Sequence, residues 1–226
     1  MVKSFFIRIA RLLRRLLLGE PRLRRSIQGT GNLFVAPHAK LANVELDIRG
    51  DRNRITVGDG CVLNNLRFHI RGSDHCIEIG EQCRVSRGGS FWIEDDHCCL
   101  TIGAGTTMVD VHIAVTEPGS RVSIGEGCMF ANDIEIRCGD SHSILDNASG
   151  ERINFAEDIE IGQHVWVASH AILLKGVKLG EDSVVAAGSI VTRSCEPHTL
   201  LAGNPAKVIK SGISWQRERI GKRNLT

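Results

Sequence analysis

Aromatic residues are scarce in this sequence. They make up 4% of its 226 residues, and tyrosine is absent. No apolar run is long enough to cross a membrane as a helix, because arginines interrupt the apolar residues near the N-terminus. None of the eight cysteines is spaced as Cys-x-x-Cys, which argues against the common zinc and redox motifs. The apolar content of 42% is dominated by Ile, Val and Leu, and we expect these residues to fill a narrow core.

A six-residue period runs from Phe155 to Glu196. The residues at every sixth position are large and apolar, and they are Phe155, Ile161, Val167, Leu173, Leu179, Val185 and Val191. Such a period fits neither an amphipathic helix nor a simple alternating strand. It is typical of a parallel β-helix built from hexapeptide repeats. We therefore predict an all-β solenoid.

An apolar-x-apolar-Gly unit extends the pattern towards the N-terminus. Its glycines are Gly58, Gly80, Gly103, Gly125, Gly162 and Gly180. Spacings of 18, 22 and 23 residues correspond to one triangular coil with or without a corner insertion, and the spacing of 37 corresponds to two coils. The sequence thus predicts one solenoid domain over residues 26–210 with about seven to nine coils. The 24 glycines of the whole chain suit corners that need a positive φ.

The cysteines follow the same period. Cys61, Cys83, Cys128 and Cys195 all occupy its small-residue position, so we expect them to point inward as small hydrophobic side chains. Because no secretory signal is recognisable and the cysteines are expected to be free, a reducing, cytoplasmic location is favoured.

The regular period is interrupted on its N-terminal side by residues 137–154. This segment contains the string Gly139-Asp-Ser-His142. The coils of a solenoid do not need such an insertion. Since loops on a rigid scaffold commonly carry function, we expect the chemistry of the protein to lie in this loop.

The two ends differ in composition from the solenoid. Residues 1–25 contain eight Lys or Arg and one Glu, a charge of +7; since the whole chain carries +2, the rest sums to −5. The pattern predicts a basic amphipathic helix that either caps the solenoid or lies on an anionic membrane through residues 1–18. No nucleic-acid motif accompanies the arginines, so we expect no nucleic-acid partner. Residues 211–226 are expected to form a short tail or helix packed on the outside.

Several strings resemble the hexapeptide-repeat acetyltransferases. After the loop they are Ile161-Gly-Gln-His-Val-Trp166, Ala168-Ser-His170, Ala187-Gly-Ser-Ile-Val-Thr192 and Leu201-Ala-Gly-Asn-Pro-Ala-Lys-Val-Ile-Lys210. The last of these is similar to the galactoside and maltose acetyltransferases. In the loop, Ile136-Arg-Cys-Gly-Asp-Ser-His-Ser-Ile144 and Gly150-Glu-Arg-Ile-Asn154 look most like the capsule and lipopolysaccharide O-acetyltransferase branch.

The resemblance implies both a fold and an activity. The fold is a left-handed parallel β-helix, and the assembly is a homotrimer with its active sites between neighbouring chains. The activity is transfer of acetyl from acetyl-CoA to a hydroxyl of a bacterial surface-polysaccharide sugar or its precursor. The alternative is a non-catalytic β-helix scaffold or a membrane-docked assembly module, because a fold does not fix a function. On that alternative, or with residues 1–18 on a membrane, the protein would lie at the inner face of the cytoplasmic membrane.

The resemblance also assigns roles to residues. His142 is the general base, which suits the ordinary pKa of imidazole. Asp140 orients the imidazole, binds the acceptor or is simply solvated, and Trp166 contacts the thioester or acceptor or packs on the outside. The Ser169 backbone N–H is expected to stabilise the oxyanion. The coenzyme A contacts implied by the match are Ala187, Gly188 and Thr192 along the pantetheine arm and Lys207 and Lys210 at the 3′-phosphoadenosine.

Three residues just before or at the start of the loop are candidates for binding the acceptor sugar. Arg137, Asn132 and Asp133 could each contact sugar hydroxyls or could equally be solvated strand residues. A zinc site built from His142, His164 and His170 was the remaining alternative. The hexapeptide-repeat carbonic anhydrases place their ligands at a different spacing, so we expect no metal.

Overall fold

The computed structural model describes residues 23–221, and the regular elements in that range are all β-strands. In chain order they are β1 (Leu23–Gln28), β2 (Leu33–Val35), β3 (Lys40–Ala42), β4 (Val44–Arg49), β5 (Arg54–Val57), β6 (Val62–Asn64), β7 (Leu66–Arg71), β8 (Cys76–Ile79), β9 (Arg84–Ile93), β10 (Cys99–Ile102), β11 (Thr107–Val115), β12 (Arg121–Ile124), β13 (Met129–Phe130), β14 (Ile134–Arg137), β15 (Ile159–Ile161), β16 (Trp166–Val167), β17 (Ile172–Leu174), β18 (Lys178–Leu179), β19 (Val184–Val185), β20 (Ile190–Val191), β21 (Thr199–Gly203) and β22 (Ala206–Ser211). The predicted all-β solenoid is confirmed.

The strands form three parallel ladders, which are the three faces of the solenoid. The first face contains β3, β6, the start of β9 and of β11, β13, β16, β19 and β21. The second face contains β1, β4, β7, the ends of β9 and β11, β14, β17 and β20. The third face contains β2, β5, β8, β10, β12, β15 and β18. Seven described strands on the third face agree with the predicted number of coils.

Three corners join these faces, and they are named here by the direction of the chain. Corner 1 leads from the third face to the first, corner 2 from the first to the second, and corner 3 from the second to the third. Each coil bonds its corner to the one below; at corner 2, for example, the Gly188 N–H donates to the Ser169 carbonyl over 2.9 Å. The corners therefore stack into three continuous edges that can present side chains in columns.

The six-residue period marks the core, with one exception. Six of its seven large residues are at most 3% exposed, namely Ile161, Val167, Leu173, Leu179, Val185 and Val191. Phe155 is 60% exposed and lies under the Arg152 guanidinium, 4.9 Å from the ring centre. The prediction was wrong for Phe155, because the chain is still in the loop at that point and reaches the core only at Ile159.

Most of the repeat-position cysteines point inward as predicted. Cys61, Cys83 and Cys128 are at most 3% exposed, and each thiol donates to the carbonyl of a glycine in the next coil at 3.0–3.2 Å. Burial raises the pKa of Cys83 to about 12, so this thiol stays protonated. The other member of the set, Cys195, is only partly buried.

Fifteen of the described glycines have a positive φ, as predicted, but the six glycines of the repeated unit are needed for another reason. None of the six has a positive φ. A Cβ on any of them would lie 2.2–2.7 Å from a backbone nitrogen of the next coil, the set being Gly58, Gly80, Gly103, Gly125, Gly162 and Gly180. These positions therefore require glycine because adjacent coils approach too closely there for any side chain.

The predicted N-terminal helix lies outside the described residues except at its end. Leu23–Arg25 belong to β1 and pair in parallel with β4, so the boundary placed at residue 25 was wrong. Sheet pairing uses the backbone groups that a helix would need. The part of the chain that the structure describes contains no helix that could cross a membrane.

The segment after β22 runs back along corner 1 and contains no helix as far as residue 221. The Ile213 N–H donates to the His198 carbonyl, and Ser214 Oγ donates to Asp182 Oδ1. Trp215 is 7% exposed. Arg217 donates to the Gly127 carbonyl, which lies two coils from Asp182 towards the N-terminal end of the solenoid. We call residues 212–217 the C-terminal strap.

Candidate active site

The loop that interrupts the period leaves the solenoid at corner 3, between β14 and β15. Arg137 is the last residue of β14, and the loop folds back on itself as a short hairpin. Leu145 and Arg152 form an antiparallel bridge, and the Ile153 N–H donates to the Ile144 carbonyl over 2.9 Å. The loop therefore has a defined internal structure.

Asn154 ties the two arms of this hairpin together. Its side chain is 6% exposed, and its Oδ1 accepts a hydrogen bond of 2.7 Å from the Ile144 N–H. Its Nδ2 donates to the His142 carbonyl and to Asp140 Oδ2, both over 2.8 Å. Because a buried amide with several satisfied bonds has one favoured orientation, Asn154 fixes the backbone on both sides of His142.

A second anchor holds the loop to the preceding coil. Arg152 pairs with both carboxylate oxygens of Glu117, and its Nε donates to Asn154 Oδ1 over 3.2 Å. Side chains of Arg152 and Glu117 are 25% and 19% exposed, so this bidentate pair is partly shielded from water. The base of the loop is therefore fixed by charge as well as by Asn154.

Asp140 contacts a lysine and an amide rather than the imidazole. Its Oδ2 accepts hydrogen bonds from Lys175 Nζ over 2.6 Å and from Asn154 Nδ2. The Lys175 ammonium group is the main reason that the pKa of Asp140 lies below its ordinary value. Asp140 can therefore influence His142 within one chain only through Asn154 and the backbone.

His142 is exposed at the start of the hairpin. Its carbonyl is held by Asn154, while its ring makes no hydrogen bond with any other described residue. An imidazole whose backbone is fixed and whose nitrogens are both free can exchange a proton with a bound substrate.

A second group of the predicted residues lies at corner 2. Ser169 Oγ donates to Asn132 Oδ1 over 2.8 Å, and Asn132 Nδ2 donates to Asp133 Oδ2 over 2.9 Å. The Asp133 carboxylate also lies 3.4 Å from His170 Nδ1. Asn132 and Asp133, which were predicted to bind the acceptor sugar, are therefore linked by hydrogen bonds to corner 2, where Ser169 was predicted to stabilise the oxyanion.

Backbone amides are left open at this same corner. Within residues 23–221, the N–H groups of Ser169 and Ala187 donate to no protein group, although they lie one coil apart at equivalent positions. Gly188 is the left-handed turn residue of its coil, with a φ of 69°. Thr192, by contrast, follows β20 at the corner 3 end of the second face and is therefore away from this corner. A column of free amides along one edge can bind carbonyl or phosphoryl oxygens of an extended ligand.

Trp166 lies on the first face between corner 1 and corner 2. Its ring is 6.0 Å from that of Trp215 at an angle of 47°. Trp215 stacks on the His164 ring at 4.2 Å and donates through Nε1 to the His164 carbonyl. Within the described chain the Trp166 indole N–H has no acceptor, so it can donate to a ligand. The strap thus borders the Trp166 side chain.

Lys207 and Lys210 lie on β22, which pairs antiparallel with β21 at the C-terminal end of the solenoid. Both side chains are exposed. They pair with Ala202 and Leu200, respectively. Their ammonium groups are therefore available to an anionic group beyond the last coil.

The structure places the predicted site residues in two separate groups. Asp140 and His142 are at corner 3, whereas Ser169 is at corner 2. The five residue steps from Asp133 to Cys138 span this face, which at the strand rise is about 16 Å. One chain alone therefore does not bring His142 to the predicted oxyanion donor.

The three histidines weighed as zinc ligands are also separated. His164 is at corner 1, His170 at corner 2 and His142 at corner 3. Among residues 23–221, no group of three His, Cys, Asp or Glu side chains is arranged to hold a metal ion.

Sequence reasoning missed the residues that hold the loop in place. Asn154 lies in a segment that resembles the family, but no structural role was predicted for it. No role was predicted for Lys175, Glu117 or Arg152 either. A polar residue at the junction between a loop and a buried strand is a usable signal for Asn154. No local signal links Lys175 to Asp140, since they are 35 residues apart and meet only through stacking of coils.

Comparison with known proteins identifies the family of the chain. The family model for bacterial transferase hexapeptide repeats (six repeats) matches residues 158–193. Polysialic acid O-acetyltransferase of Neisseria meningitidis is 34% identical over 197 residues, which cover 85% of this chain and 89% of that protein. Polysialic acid O-acetyltransferase of Escherichia coli O1:K1 / APEC is 39% identical over 117 residues, which cover 52% of this chain but only 36% of that protein.

Two solved structures are similar over most of the chain. The polySia-specific acetyltransferase NeuO superposes with a TM-score of 0.79 at 32% identity, covering 89% of this chain and 92% of that one. The polysialic acid O-acetyltransferase OatWY superposes with a TM-score of 0.80 at 30% identity, covering 88% of this chain and 94% of that one. The chain therefore belongs to the hexapeptide-repeat O-acetyltransferase family.

Proposed function

We propose that this protein transfers the acetyl group of acetyl-CoA to a hydroxyl of a bacterial surface-polysaccharide sugar or its precursor. The observation that carries the proposal is the loop at corner 3, which presents His142 with a fixed backbone and a free ring. Family membership supports transfer to oxygen. The relatives are named for polysialic acid, a sugar polymer, and this supports a carbohydrate acceptor.

His142 is proposed as the general base. An imidazole nitrogen takes the proton of the acceptor hydroxyl while that oxygen attacks the thioester carbonyl. The new C–O bond forms, the C–S bond breaks, and the imidazolium returns the proton to the departing sulfur. Asp140 supports this step indirectly, because Asn154 bonds both to its carboxylate and to the His142 carbonyl.

Ser169 and Trp166 are proposed to act on the thioester. The free Ser169 N–H is suited to stabilise negative charge on the carbonyl oxygen during attack. Trp166, three residues before Ser169 in the same coil, offers a flat apolar surface and an indole N–H that has no acceptor among residues 23–221. Both features support contact with the reacting end of acetyl-CoA.

The rest of acetyl-CoA is proposed to follow corner 2 towards the C-terminal end. The amide at Ala187 and the bare turn at Gly188 would border the pantetheine arm. Thr192 lies at the other edge of the second face, in line with Leu174, so its contact with the coenzyme would need the neighbouring copy. Lys207 and Lys210 would pair with phosphate groups beyond the last coil. Left-handed winding, which the family resemblance implies, is part of the same proposal.

A complete site is proposed to need a second copy of the chain. His142 and Ser169 are on opposite edges of one face, so juxtaposition requires His142 of one protomer to meet corner 2 of its neighbour. The loop also exposes apolar side chains by 55–62%, namely Ile144, Leu145, Ile153 and Phe155. An apolar cluster of this kind favours burial against protein, and a homotrimer would bury it at each site.

The acceptor is proposed to bind on the second face and at corner 2. Arg137 points from the root of the loop and bonds Ser141 Oγ over 3.2 Å. Asn132 and Asp133 lie at the opposite edge, beside Ser169. Membrane contact through residues 1–18, and with it a location at the inner face of the cytoplasmic membrane, remains a prediction on residues that the structure does not describe.

Substitution of the proposed base tests the function. His142→Ala should lower acetyl transfer at least about a hundredfold while calorimetry shows unchanged acetyl-CoA affinity. His38→Ala is the matched control, since His38 is exposed and paired with Asp59 far from the loop. Full activity in His142→Ala would overturn the role of His142. Failure of the wild-type protein to bind millimolar acetyl-CoA would instead favour a non-catalytic scaffold.

A further inference from the structure

A groove of about 530 Å³ lies on the second face, beside the root of the loop. Its floor is made by outward-facing residues of β9, β11 and β14. One column of the floor contains Trp92, Ala114 and Arg137, which pair across adjacent strands. The groove is thus built into the rigid sheet and opens towards the loop.

The small side chain of Ala114 leaves a depression in the floor of the groove between the larger side chains of Trp92 and Arg137. Trp92 lies one strand before it and Arg137 one strand after it, so these two are about 10 Å apart at the strand spacing. The neighbouring column supplies His112, whose Nδ1 is 2.9 Å from Ser90 Oγ. A ring-sized ligand can therefore lie on Ala114 between an aromatic surface and a guanidinium group.

Trp92 is exposed yet held in one orientation. It is 40% exposed, its indole N–H donates to Glu94 over 3.0 Å, and its ring stacks on His69 at 3.7 Å and 19°. His69 is itself 9% exposed, and its Nδ1 faces the Asp47 carboxylate, which Arg71 and Arg67 also contact. Such a preorganised aromatic surface loses little freedom when a ligand packs on it.

The charge of the groove is predominantly negative. Arg137 is the one permanent cation among its lining residues, whereas the acids are Glu94, Asp95, Glu117, Glu135 and Asp140. Lys175 and Arg152 neutralise two of these acids from outside the groove, and Arg137 lies 3.5 Å from Glu135 inside it. Glu94 and Asp95 therefore supply the surplus negative charge. Carboxylates accept hydrogen bonds from hydroxyl groups but repel other anions, so the groove favours an uncharged polyol over an acidic sugar.

We propose that this groove is an acceptor subsite for an uncharged, hydroxyl-rich sugar unit neighbouring the unit that is acetylated. The apolar C–H face of the sugar ring packs on Trp92, and its hydroxyls bond with Glu135, His112 and Arg137. This inference rests on the proposed function, since it assumes a glycan acceptor. A preference for an uncharged sugar would distinguish this chain from the relatives that are named for polysialic acid. Every sugar unit of that polymer carries a carboxylate.

Binding of two oligosaccharides to the full-length protein tests the subsite. The probes are maltohexaose, which is uncharged, and a hexamer of α2,8-linked sialic acid, both followed by saturation-transfer NMR and titration. We expect binding of maltohexaose that Trp92→Ala weakens about tenfold and that Trp92→Phe largely preserves. The sialic acid hexamer should show no dependence on Trp92.

A filling substitution keeps the test independent of folding. Ala114→Leu should block the groove without entering the core, whereas Ser123→Leu places the same change on the outward side of the third face. The proposal is overturned if neither probe binds in a manner sensitive to Trp92 and Ala114, or if the acidic hexamer is the one that does. Acetyl-CoA binding and its turnover by His142 are read separately, so a failed subsite and a failed function give different results.

Discussion

The coils before the loop and the coils after it share a core but differ on their outer surface. After the loop, strands are two or three residues long up to β20, and each turn takes 18 residues. Before it, the second-face strands β4 and β7 have six residues, and turns take 22 or 23. The longer turns before the loop form the groove beside the loop and carry its charged side chains. On the second-face column that contains Arg137, the shorter turns place Leu174 and Thr192.

This difference shows that two requirements act on different side chains of the same strand. Inward residues must fill the space between stacked coils, and they do so in both halves. Outward residues are free of that requirement, so they can form pairs such as Asp47 with Arg71 before the loop. The half after the loop therefore shows the repeat most clearly in its sequence. The half before the loop carries more of the outward side chains that are proposed to bind a ligand.

The largest expected effect tests whether the two halves really share one core. Gly103→Ala before the loop and Gly162→Ala after it should each lower the free energy of unfolding by about 3 kcal/mol. In both cases the new Cβ would lie 2.5–2.7 Å from a backbone nitrogen of the next coil. Urea denaturation of each variant gives the comparison.

Gly119→Ala is the control for backbone conformation alone. Its φ is 79° but its Cβ would meet nothing within 4 Å, so a loss of about 1 kcal/mol is expected. Equal losses for all three substitutions would show that close approach of the coils is not what requires glycine.

The order of the loop that separates the two halves depends on Asn154. Asn154→Ala removes the amide that bonds Ile144, His142 and Asp140, so we expect kcat to fall about tenfold to a hundredfold as the imidazole loses its position. Affinity for acetyl-CoA should be unchanged, because Asn154 is far from corner 2. Hydrogen exchange of residues 140–154 should rise while that of the coils does not.

Asn147→Ala supplies the control at the exposed tip of the same hairpin. It should leave both kcat and exchange at their original values. A normal kcat in Asn154→Ala, together with faster exchange, would mean that the loop need not be ordered for activity.

The smallest expected effect concerns the outer surface before the loop. Hydrogen bonds from Arg71 and then Arg67 lower the pKa of Asp47 from 3.8 to about 2. Because the folded-state pKa is the lower one, this stabilisation is present above about pH 4 and is lost as the pH falls towards 2. Asp47→Asn should be less stable than the wild type at pH 7, and the difference should shrink between pH 4 and pH 2.

Glu160→Gln gives the comparison after the loop. Glu160 pairs with Lys178 over 2.8 Å, but both side chains are more than half exposed, so little change in stability is expected at any of these pH values. Urea titrations of both variants across this range supply the measurement. A pH-independent deficit in Asp47→Asn would show that packing rather than charge explains the loss.

Much of the fold was predictable because a solenoid is built from local repeats. The period located Ile161 to Val191 in the core without any knowledge of long-range contacts. It failed at Phe155, where the spacing continues by coincidence into the loop. The columns of glycine were visible as well, but their cause was not, since close approach of neighbouring coils is a property of stacking.

The candidate site was predictable to a smaller extent. The interruption drew attention to His142, and the family resemblance supplied the positions at corner 2. The contacts of Asp140 with Lys175 and of Trp92 with His69 join residues that are distant in sequence, and nothing local marks them as partners. Stacking brings them together because residues about one coil apart become neighbours on the same face.

The sequence by itself determined the repeating core, the position of the interruption and the membership of an acetyltransferase family. These features depend on spacing and residue type, which are local properties. Only the tertiary structure decided that Asn154 holds the His142 backbone, that Ser169 lies on a different edge, and that Trp92 borders an acidic groove. Each of these depends on the register between coils, which is fixed by the stacking of the whole solenoid.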